Sequence, residues 1–251
     1  MSFALASISW PRVPVRPLVL LPIGSTEQHG PHLPFGTDTV VATAVADGVA
    51  ARLIRDATVP DPAMASDSAS AHGSPVLVAP SLPYGASGEH QAFPGTVSIG
   101  HEALRLVLIE CVRSLSTWAG RIVVVNGHGG NVATLRRAIP QLIEEGHRVA
   151  WAPCVPPGTD AHAGRTETSL MIRLAAENVD LVAAAPGNTM PLHTLLPILQ
   201  EKGVRSISES GILGDPSGAN EREGGSLLEA MIDDVFRRVV DDGVDELGCL
   251  R

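Results

Sequence analysis

Short apolar runs alternate with longer stretches of helical period along this chain. Four of the runs are nearly all apolar, as is typical of strands covered on both faces: Leu18–Ile23, Pro75–Pro80, Arg121–Asn126 and Arg148–Ala152. Six stretches predict helices: Thr39–Ile54, His101–Ala119, Val132–Glu145, Thr166–Glu177, Pro191–Lys202 and Ala219–Val240. The alternation of the two patterns predicts an α/β fold, in which a mostly parallel central sheet lies between layers of helices.

The polar stretch Asp56–Ser74 interrupts this alternation, and we interpret it as a surface loop because a strand candidate follows at once. The sequence contains no linker and no internal repeat. We therefore expect residues 1–251 to form a single domain. Since loops carry specificity on a rigid scaffold, we expect Asp56–Ser74 and Val155–Ala161 to contact the substrate.

Charge and cysteine content narrow the function classes. The 18 Lys+Arg against 27 Asp+Glu give a net charge of −9, and Lys202 is the single lysine, so we expect no nucleic-acid partner and no membrane partner. Cys111, Cys154 and Cys249 form no Cys-x-x-Cys pair and indicate reduced thiols. Met1–Trp10 lacks a signal-peptide pattern, and no apolar run approaches the roughly 20 residues of a membrane span. We expect a cytoplasmic protein.

The segment Pro22–Asp38 runs from an apolar strand candidate into a loop rich in glycine and proline, and ligands bind where such strands end. Glu27 and His29 are two positions apart, so an extended backbone projects them to the same side, and Asp38 closes the loop as a helix begins. Two carboxylates and an imidazole suit a divalent metal. The alternative is that Asp38 caps the helix while Glu27 and His29 are solvated loop residues.

A second apolar strand candidate ends in the turn Asn126-Gly-His-Gly-Gly-Asn131, which presents His128 at the edge of the sheet. Glycine-rich turns before helices also bind phosphate, but this turn lacks the P-loop lysine and does not fit the dinucleotide pattern. A structural role is the commoner one for such a histidine taken alone, and only its pairing with the first segment favours a ligand. We expect Asn126 and Asn131 to hold the turn rather than to contact substrate.

The third segment, His162–Ser169, is a loop that leads into a predicted helix. One interpretation makes Thr166 the N-cap, so that Glu167 in the first turn is favoured by the helix dipole. The functional alternative makes Glu167 a metal ligand and His162 an acid or base at the flexible side of the site.

Together the three segments resemble the creatininase family of metal-dependent amidohydrolases, in the patterns Glu27–Pro34 with Thr37-Asp38, Asn126–Asn131 and His162–Ser169. The resemblance extends through Tyr84–Thr96, Ala185–Asn188 and Gly211–Gly218, and covers roughly residues 15–235. It implies the layered α/β/α fold of that family, with a dinuclear metal site at the carboxyl ends of strands. It also implies a homo-oligomer, because members of the family form rings that are often hexamers.

The resemblance also implies the ligands of two divalent ions. Asp38 would bridge the ions, Glu27 and His128 would bind one of them, and His29 would bind the other. Zn and/or Fe(II) are the expected ions, and Mn is also compatible with mixed nitrogen and oxygen ligands.

One ligand does not carry over. Creatininase itself has a glutamate where this sequence has Gly130, so we expect Glu167 to supply the missing carboxylate. The substitution argues against creatinine as the substrate.

Within the family the resemblance is greatest to a peptidase that acts on a modified ribosomal precursor peptide and releases the dipeptide derived from its C-terminal Val-Tyr. It implies attack of a metal-activated water on an amide bond, with His162 and Glu167 as catalytic residues. Two alternatives remain open. One is a hydrolase of a small cyclic or formyl amide, and the other is a non-catalytic, metal-dependent module that binds a modified peptide.

Other polar residues are given structural roles. Glu89 and His90 lie in a segment that the resemblance places near the mouth of the site, yet a structural role is the simpler interpretation. We expect His32 to hold a neighbouring group by a hydrogen bond. Cys154 is expected to be a buried thiol rather than a nucleophile, and Ser25 lacks the Gly-x-Ser-x-Gly elbow of serine hydrolases.

Overall fold

Parallel strands form the central sheet of the computed structural model, which describes residues 4–55, 75–155 and 160–251. The strands are β1 (Leu18–Ile23), β2 (Val76–Val78), β3 (Arg121–Asn126) and β4 (Val149–Pro153). Their order across the sheet is β2-β1-β3-β4, and every neighbouring pair is parallel. The predicted α/β fold is therefore confirmed. Strand β2 is shorter than expected because Pro75 and Pro80, which flank it, have no N–H for the ladder.

All the predicted helices are present, with ends that differ from the prediction by a few residues. They are α1 (Thr37–Arg55), α2 (Gly100–Leu115), α3 (Val132–Glu144), α4 (Arg165–Ala175), α5 (Leu192–Lys202) and α6 (Glu221–Asp241). Helix α6 begins later than expected because the Asn220 side chain accepts a hydrogen bond from the Glu223 N–H at 3.0 Å and so caps it.

Helices cover both faces of the sheet. Alternate β1 side chains point to opposite faces, so Leu18 and Leu20 join one core cluster while Val19 and Leu21 join the other. Helices α1, α4 and α6 pack on the first face, and α2 and α3 pack on the second. Burial on both faces explains why the strands read as continuous apolar runs rather than as an alternation of apolar and polar residues.

Three of the strands end at the same level of the sheet. Ile23 of β1 pairs with Asn126 of β3, and Asn126 pairs with Pro153 of β4. The chain segments that follow these strands therefore start from one edge of the sheet, which is where open α/β sheets bind ligands.

Two expectations about substrate loops concern residues that the structure does not describe. All of Asp56–Ser74 and residues 156–159 of the loop Val155–Ala161 lie outside the described residues. Within the described part of the chain, no helix combines the length and the apolar character needed to span a membrane.

The packing of α2 generates a stability prediction. Leu108 is fully buried against the second face, whereas Leu106 on the same helix is 58% exposed. We expect Leu108→Ala to lower the free energy of unfolding by about 2–5 kcal/mol, because it leaves a cavity in the core. Leu106→Ala, the matched control, is expected to change it by no more than about 0.5 kcal/mol. Urea denaturation followed by circular dichroism measures both, and equal losses in the two variants would contradict the packing described here.

Candidate metal centre

Asp38 lies at the centre of a buried group of carboxylates and imidazoles. Its Oδ1 is 3.1 Å from His29 Nε2, and its Oδ2 is 3.2 Å from His128 Nδ1. Helix α1 begins at Thr37, so Asp38 lies within the first turn and is not the N-cap. The interpretation of Asp38 as a cap is wrong, because its two oxygens face two imidazoles instead of the free N–H groups of the first helical turn.

The turn after β3 holds His128 in place. Asn126 Nδ2 donates to the His128 carbonyl oxygen at 2.8 Å, while Asn131 Nδ2 donates to the Gly24 carbonyl oxygen at 3.0 Å. Asn131 Oδ1 accepts from the Ala86 N–H at 3.0 Å. These bonds tie the turn to the segment after β1 and to the loop before α2. They confirm that Asn126 and Asn131 hold the turn.

Glu27 is 1% exposed and sits between imidazoles. Its Oε2 is 3.2 Å from His128 Nε2, and its Oε1 is 3.4 Å from His90 Nε2. Among the described residues, no donor lies in hydrogen-bonding geometry with either oxygen of Glu27 or with Oδ2 of Asp38. Buried carboxylate oxygens without donors are costly, and a bound cation removes that cost. These residues therefore fit a divalent metal ion.

Glu167 approaches the group from the first turn of α4. Its Oε2 is 3.9 Å from His29 Nε2 and accepts a hydrogen bond from the Ala163 N–H at 2.5 Å. The interpretation of Thr166 as the N-cap is wrong, because α4 begins at Arg165 and Thr166 lies within its first turn. The Asp160 carboxylate accepts from the N–H groups of both of these residues and takes the capping role.

The side chains form overlapping sets, each of which could supply the ligand atoms for one metal ion. Within the described residues, three such sets have their donor atoms within 4.8 Å of one another: Glu27, Asp38 and His128; His29, Asp38 and Glu167; and Glu27, His29 and His162. The fold thus brings together all six residues that the three sequence segments nominated. Asp38 belongs to the first two sets, which is the position that a bridging carboxylate needs.

The pKa values of the site residues agree with a site in which positive charge balances the buried negative charge. Burial alone lowers the pKa of His29 and His128, yet the facing carboxylates of Asp38 and Glu27 raise both values to about 10. Burial raises the pKa of Glu27 to about 7. Burial also opposes ionisation of Asp38, but the two imidazoles hold its pKa well below the usual range. The carboxylates of Asp38 and Glu27 therefore stabilise positive charge placed beside them.

His90 is a site residue to which the sequence analysis gave only a structural role. It is buried, and its ring stacks on His162 with centroids 4.4 Å apart, while His162 stacks on His29 with centroids 4.3 Å apart. Burial lowers the pKa of His90 to about 3 and that of His162 well below its ordinary value, so both imidazoles are neutral. The resemblance placed its loop near the mouth of the site, but spacing along the chain gave no signal for a role of His90 itself, because the loop reaches the site only through the fold.

Glu89 occupies the space beside Gly130. A Cβ at position 130 would overlap His128 Nε2 and lie 2.8 Å from Glu89 Oε1, so a side chain cannot be added there without moving this loop. Glu89 Oε1 itself is 3.8 Å from His128 Nε2. The carboxylate that faces position 130 is therefore that of Glu89, whereas Glu167 faces His29.

The remaining candidates behave as structural residues. His32 Nε2 contacts Thr168 Oγ1 at 2.9 Å, which confirms a hydrogen bond to a neighbouring group on α4. Cys154 is buried, and burial raises the pKa of its thiol, so it is poorly suited to be a nucleophile. Ser25 is fully buried with its hydroxyl against that of Ser87.

Comparisons with known proteins agree with this geometry. The family model described as Creatininase: Creatinine amidohydrolase matches residues 6–239. Mycofactocin precursor peptide peptidase of Mycobacterium tuberculosis is 49% identical over 223 residues, which cover 89% of this chain and 84% of that protein. Creatinine amidohydrolase of Pseudomonas putida is 27% identical over 247 residues, with 86% and 85% covered.

A solved structure extends the agreement to the fold. The crystal structure of creatinine amidohydrolase (creatininase) superimposes with a TM-score of 0.73 at 25% identity, and covers 96% of this chain and 98% of that chain. The parallel sheet, the cluster of carboxylates and imidazoles at its edge and the matched family model lead to one conclusion. The chain belongs to the creatininase family and is a hydrolase.

Proposed function

We propose that this protein is a metal-dependent peptidase that cleaves the modified mycofactocin precursor peptide and releases the dipeptide derived from its C-terminal Val-Tyr. The observation that carries the proposal is the buried Glu27 carboxylate, which lies among histidines without a hydrogen-bond donor and so fits a divalent ion. Similarity to the Mycobacterium tuberculosis peptidase supports the substrate. Glycine at position 130, where creatininase has a glutamate, supports a substrate other than creatinine.

We further propose that the site takes two divalent ions, Zn and/or Fe(II), with Mn as a further candidate. Glu27, Asp38 and His128 would hold one ion, and His29, Asp38 and Glu167 would hold the other. When bound, such ions polarise a carbonyl group and lower the pKa of water. Creatininase supplies one carboxylate from the position of Gly130. We assign that role to Glu167 in this chain, because its carboxylate lies close to both His29 and Asp38.

His162 is the proposed acid/base of the reaction. Its Nδ1 lies 3.7 Å from Glu27 Oε1, and the residue itself lies three positions before α4. A neutral imidazole there accepts the proton of the attacking water and then donates it to the leaving amine. The N–H groups of Gly129 and Gly130 lie in the turn that carries His128 and are the proposed donors to the developing oxyanion.

Metal content tests the ligand assignment. Glu27→Ala and His128→Ala are expected to abolish both metal binding and cleavage, because each removes a donor from the set that Asp38 completes. His162→Ala is expected to keep the metal and lose turnover. Inductively coupled plasma mass spectrometry after reconstitution and gel filtration measures the metal per chain, and His193→Ala, at an exposed histidine, is the matched control. A His162→Ala protein with full turnover would remove the acid/base assignment, and one with less metal would make His162 a ligand.

Peptide cleavage tests the activity. Metal-reconstituted protein is incubated with the precursor peptide modified at its C-terminal Val-Tyr, and masses are followed by liquid chromatography and mass spectrometry. We expect loss of a C-terminal dipeptide with the intact protein and none with Glu27→Ala. No cleavage despite about two bound ions per chain would contradict the proposal. It would direct the assay to small cyclic and formyl amides and then to a module that only binds the peptide.

We also propose that the protein works in the cytoplasm as a homo-oligomer, with a hexamer as the expected size. All three cysteines are free thiols, which supports a reducing compartment. Apolar side chains exposed along residues 181–196 support a subunit interface: Leu181, Val182, Met190, Leu192 and Leu196. Size-exclusion chromatography with light scattering measures the mass, and a monomer at micromolar concentration would contradict this proposal.

A further inference from the structure

The side chain of Gln28 lies between two of the site histidines with its amide orientation fixed. Gln28 is buried, and its Oε1 accepts the Gly30 N–H at 2.8 Å. Because that N–H needs an acceptor, the carbonyl oxygen of the amide faces Gly30 and the NH₂ group faces the imidazoles. The chain keeps space for this amide, since a Cβ at Gly211 would overlap it.

Hydrogen-bonding partners then determine where each imidazole carries its proton. Gln28 Nε2 donates to His90 Nδ1 at 2.8 Å, so His90 Nδ1 is a lone pair and the proton of the neutral ring is on Nε2. His162 Nε2 lies 2.7 Å from the main-chain carbonyl oxygen of Gln28. A carbonyl oxygen only accepts, so His162 carries its proton on Nε2, and the Nδ1 of the neutral ring is the lone pair. The Gln28 amide nitrogen also lies 3.1 Å from His162 Nε2, but its second N–H has the Gly211 carbonyl oxygen as its acceptor at 3.2 Å.

Both rings carry the proton on Nε2, but His90 presents an N–H to the site whereas His162 presents a lone pair. The Nε2–H of His90 faces Glu27 Oε1 at 3.4 Å, whereas the Nδ1 lone pair of His162 faces the same oxygen at 3.7 Å. Gln28 contacts both rings: its side-chain amide donates to His90, and its main-chain carbonyl oxygen accepts from His162.

We propose that Gln28 is a positioning residue that fixes the tautomers of two site imidazoles, so that His90 presents an N–H and His162 presents a lone pair on the side of the site where Glu27 lies. The consequence for turnover rests on the proposed function, since His162 must accept a proton before it can donate one. His90 would supply a fixed N–H beside the reacting groups, with its Nε2 3.4 Å from Glu27 Oε1.

The test reads the tautomers directly. Protein labelled with ¹⁵N-histidine, metal-free and loaded with Zn, is examined by long-range ¹H–¹⁵N correlation spectra, with signals assigned from His90→Asn and His162→Asn variants. Wild-type protein is expected to show the Nε2–H tautomer for both histidines. In Gln28→Glu, the new carboxylate only accepts, so we expect His90 to move its proton to Nδ1 while His162, bonded to the main chain, stays unchanged.

Kinetics supply the second readout. Gln28→Glu is expected to lower kcat about 10–100-fold with little change in KM and with the metal content retained. Gln91→Glu, at an exposed neighbouring glutamine, is the matched control and is expected to change neither the spectrum nor the rate.

Two results would overturn the proposal. One is a proton on His90 Nδ1 in the wild-type protein, a measurement that does not depend on the folding of any variant. The other is an unchanged His90 signal in folded Gln28→Glu. The spectra require no substrate. A protein that fails to cleave the precursor peptide but shows these tautomers therefore overturns the proposed function and leaves the positioning role intact.

Discussion

The site depends on one constraint, which is that two carboxylates are buried where the protein offers them imidazoles and few other donors. Glu27 and Asp38 are 1% and 4% exposed, and three of their four oxygens have no hydrogen-bond donor among the described residues. Folding these groups out of water is unfavourable unless positive charge compensates. His29 and His128 supply that charge in the metal-free protein, and a bound cation would replace it while leaving the imidazoles as neutral ligands.

The sheet makes this arrangement possible, because it fixes separate parts of the chain at one edge. The ends of β1 and β3 are paired at Ile23 and Asn126, so the segments carrying Glu27 and His128 start side by side. Helix α1 then begins close enough for Asp38 to reach both histidines. Each candidate ligand is thereby fixed by hydrogen-bonded backbone, so the packing of the sheet holds the buried carboxylates beside the imidazoles that compensate their charge.

The sequence predicted the fold and the inner part of the site because both leave local signals. Continuous apolar runs predicted both ends of strands β1 and β3 correctly. The loop with Glu27 and His29 directly after β1 indicated that this edge of the sheet binds a ligand. The resemblance placed the loop of Glu89 and His90 near the mouth of the site, but no local pattern gave a role to these two residues or to Gln28. Their roles depend on which loop meets which across the fold, and a hydrogen bond between Gln28 and His90 has no counterpart in spacing along the chain. The cap of α4 was missed for the same reason, since Asp160 lies several residues before the helix.

The carboxylates divide into an inner and an outer pair, and this division suggests how the family changes substrate on one scaffold. Glu27 and Asp38 are buried and held by the sheet edge, whereas Glu89 and Glu167 are 29% and 26% exposed and come from a loop and a helix start. Gly130 leaves room for Glu89 beside His128, so the outer carboxylates depend on loop positions while the inner ones do not. We expect substrate choice to follow the loops, because Glu89 depends on a loop position while Glu27 and Asp38 are held beside the edge of the sheet.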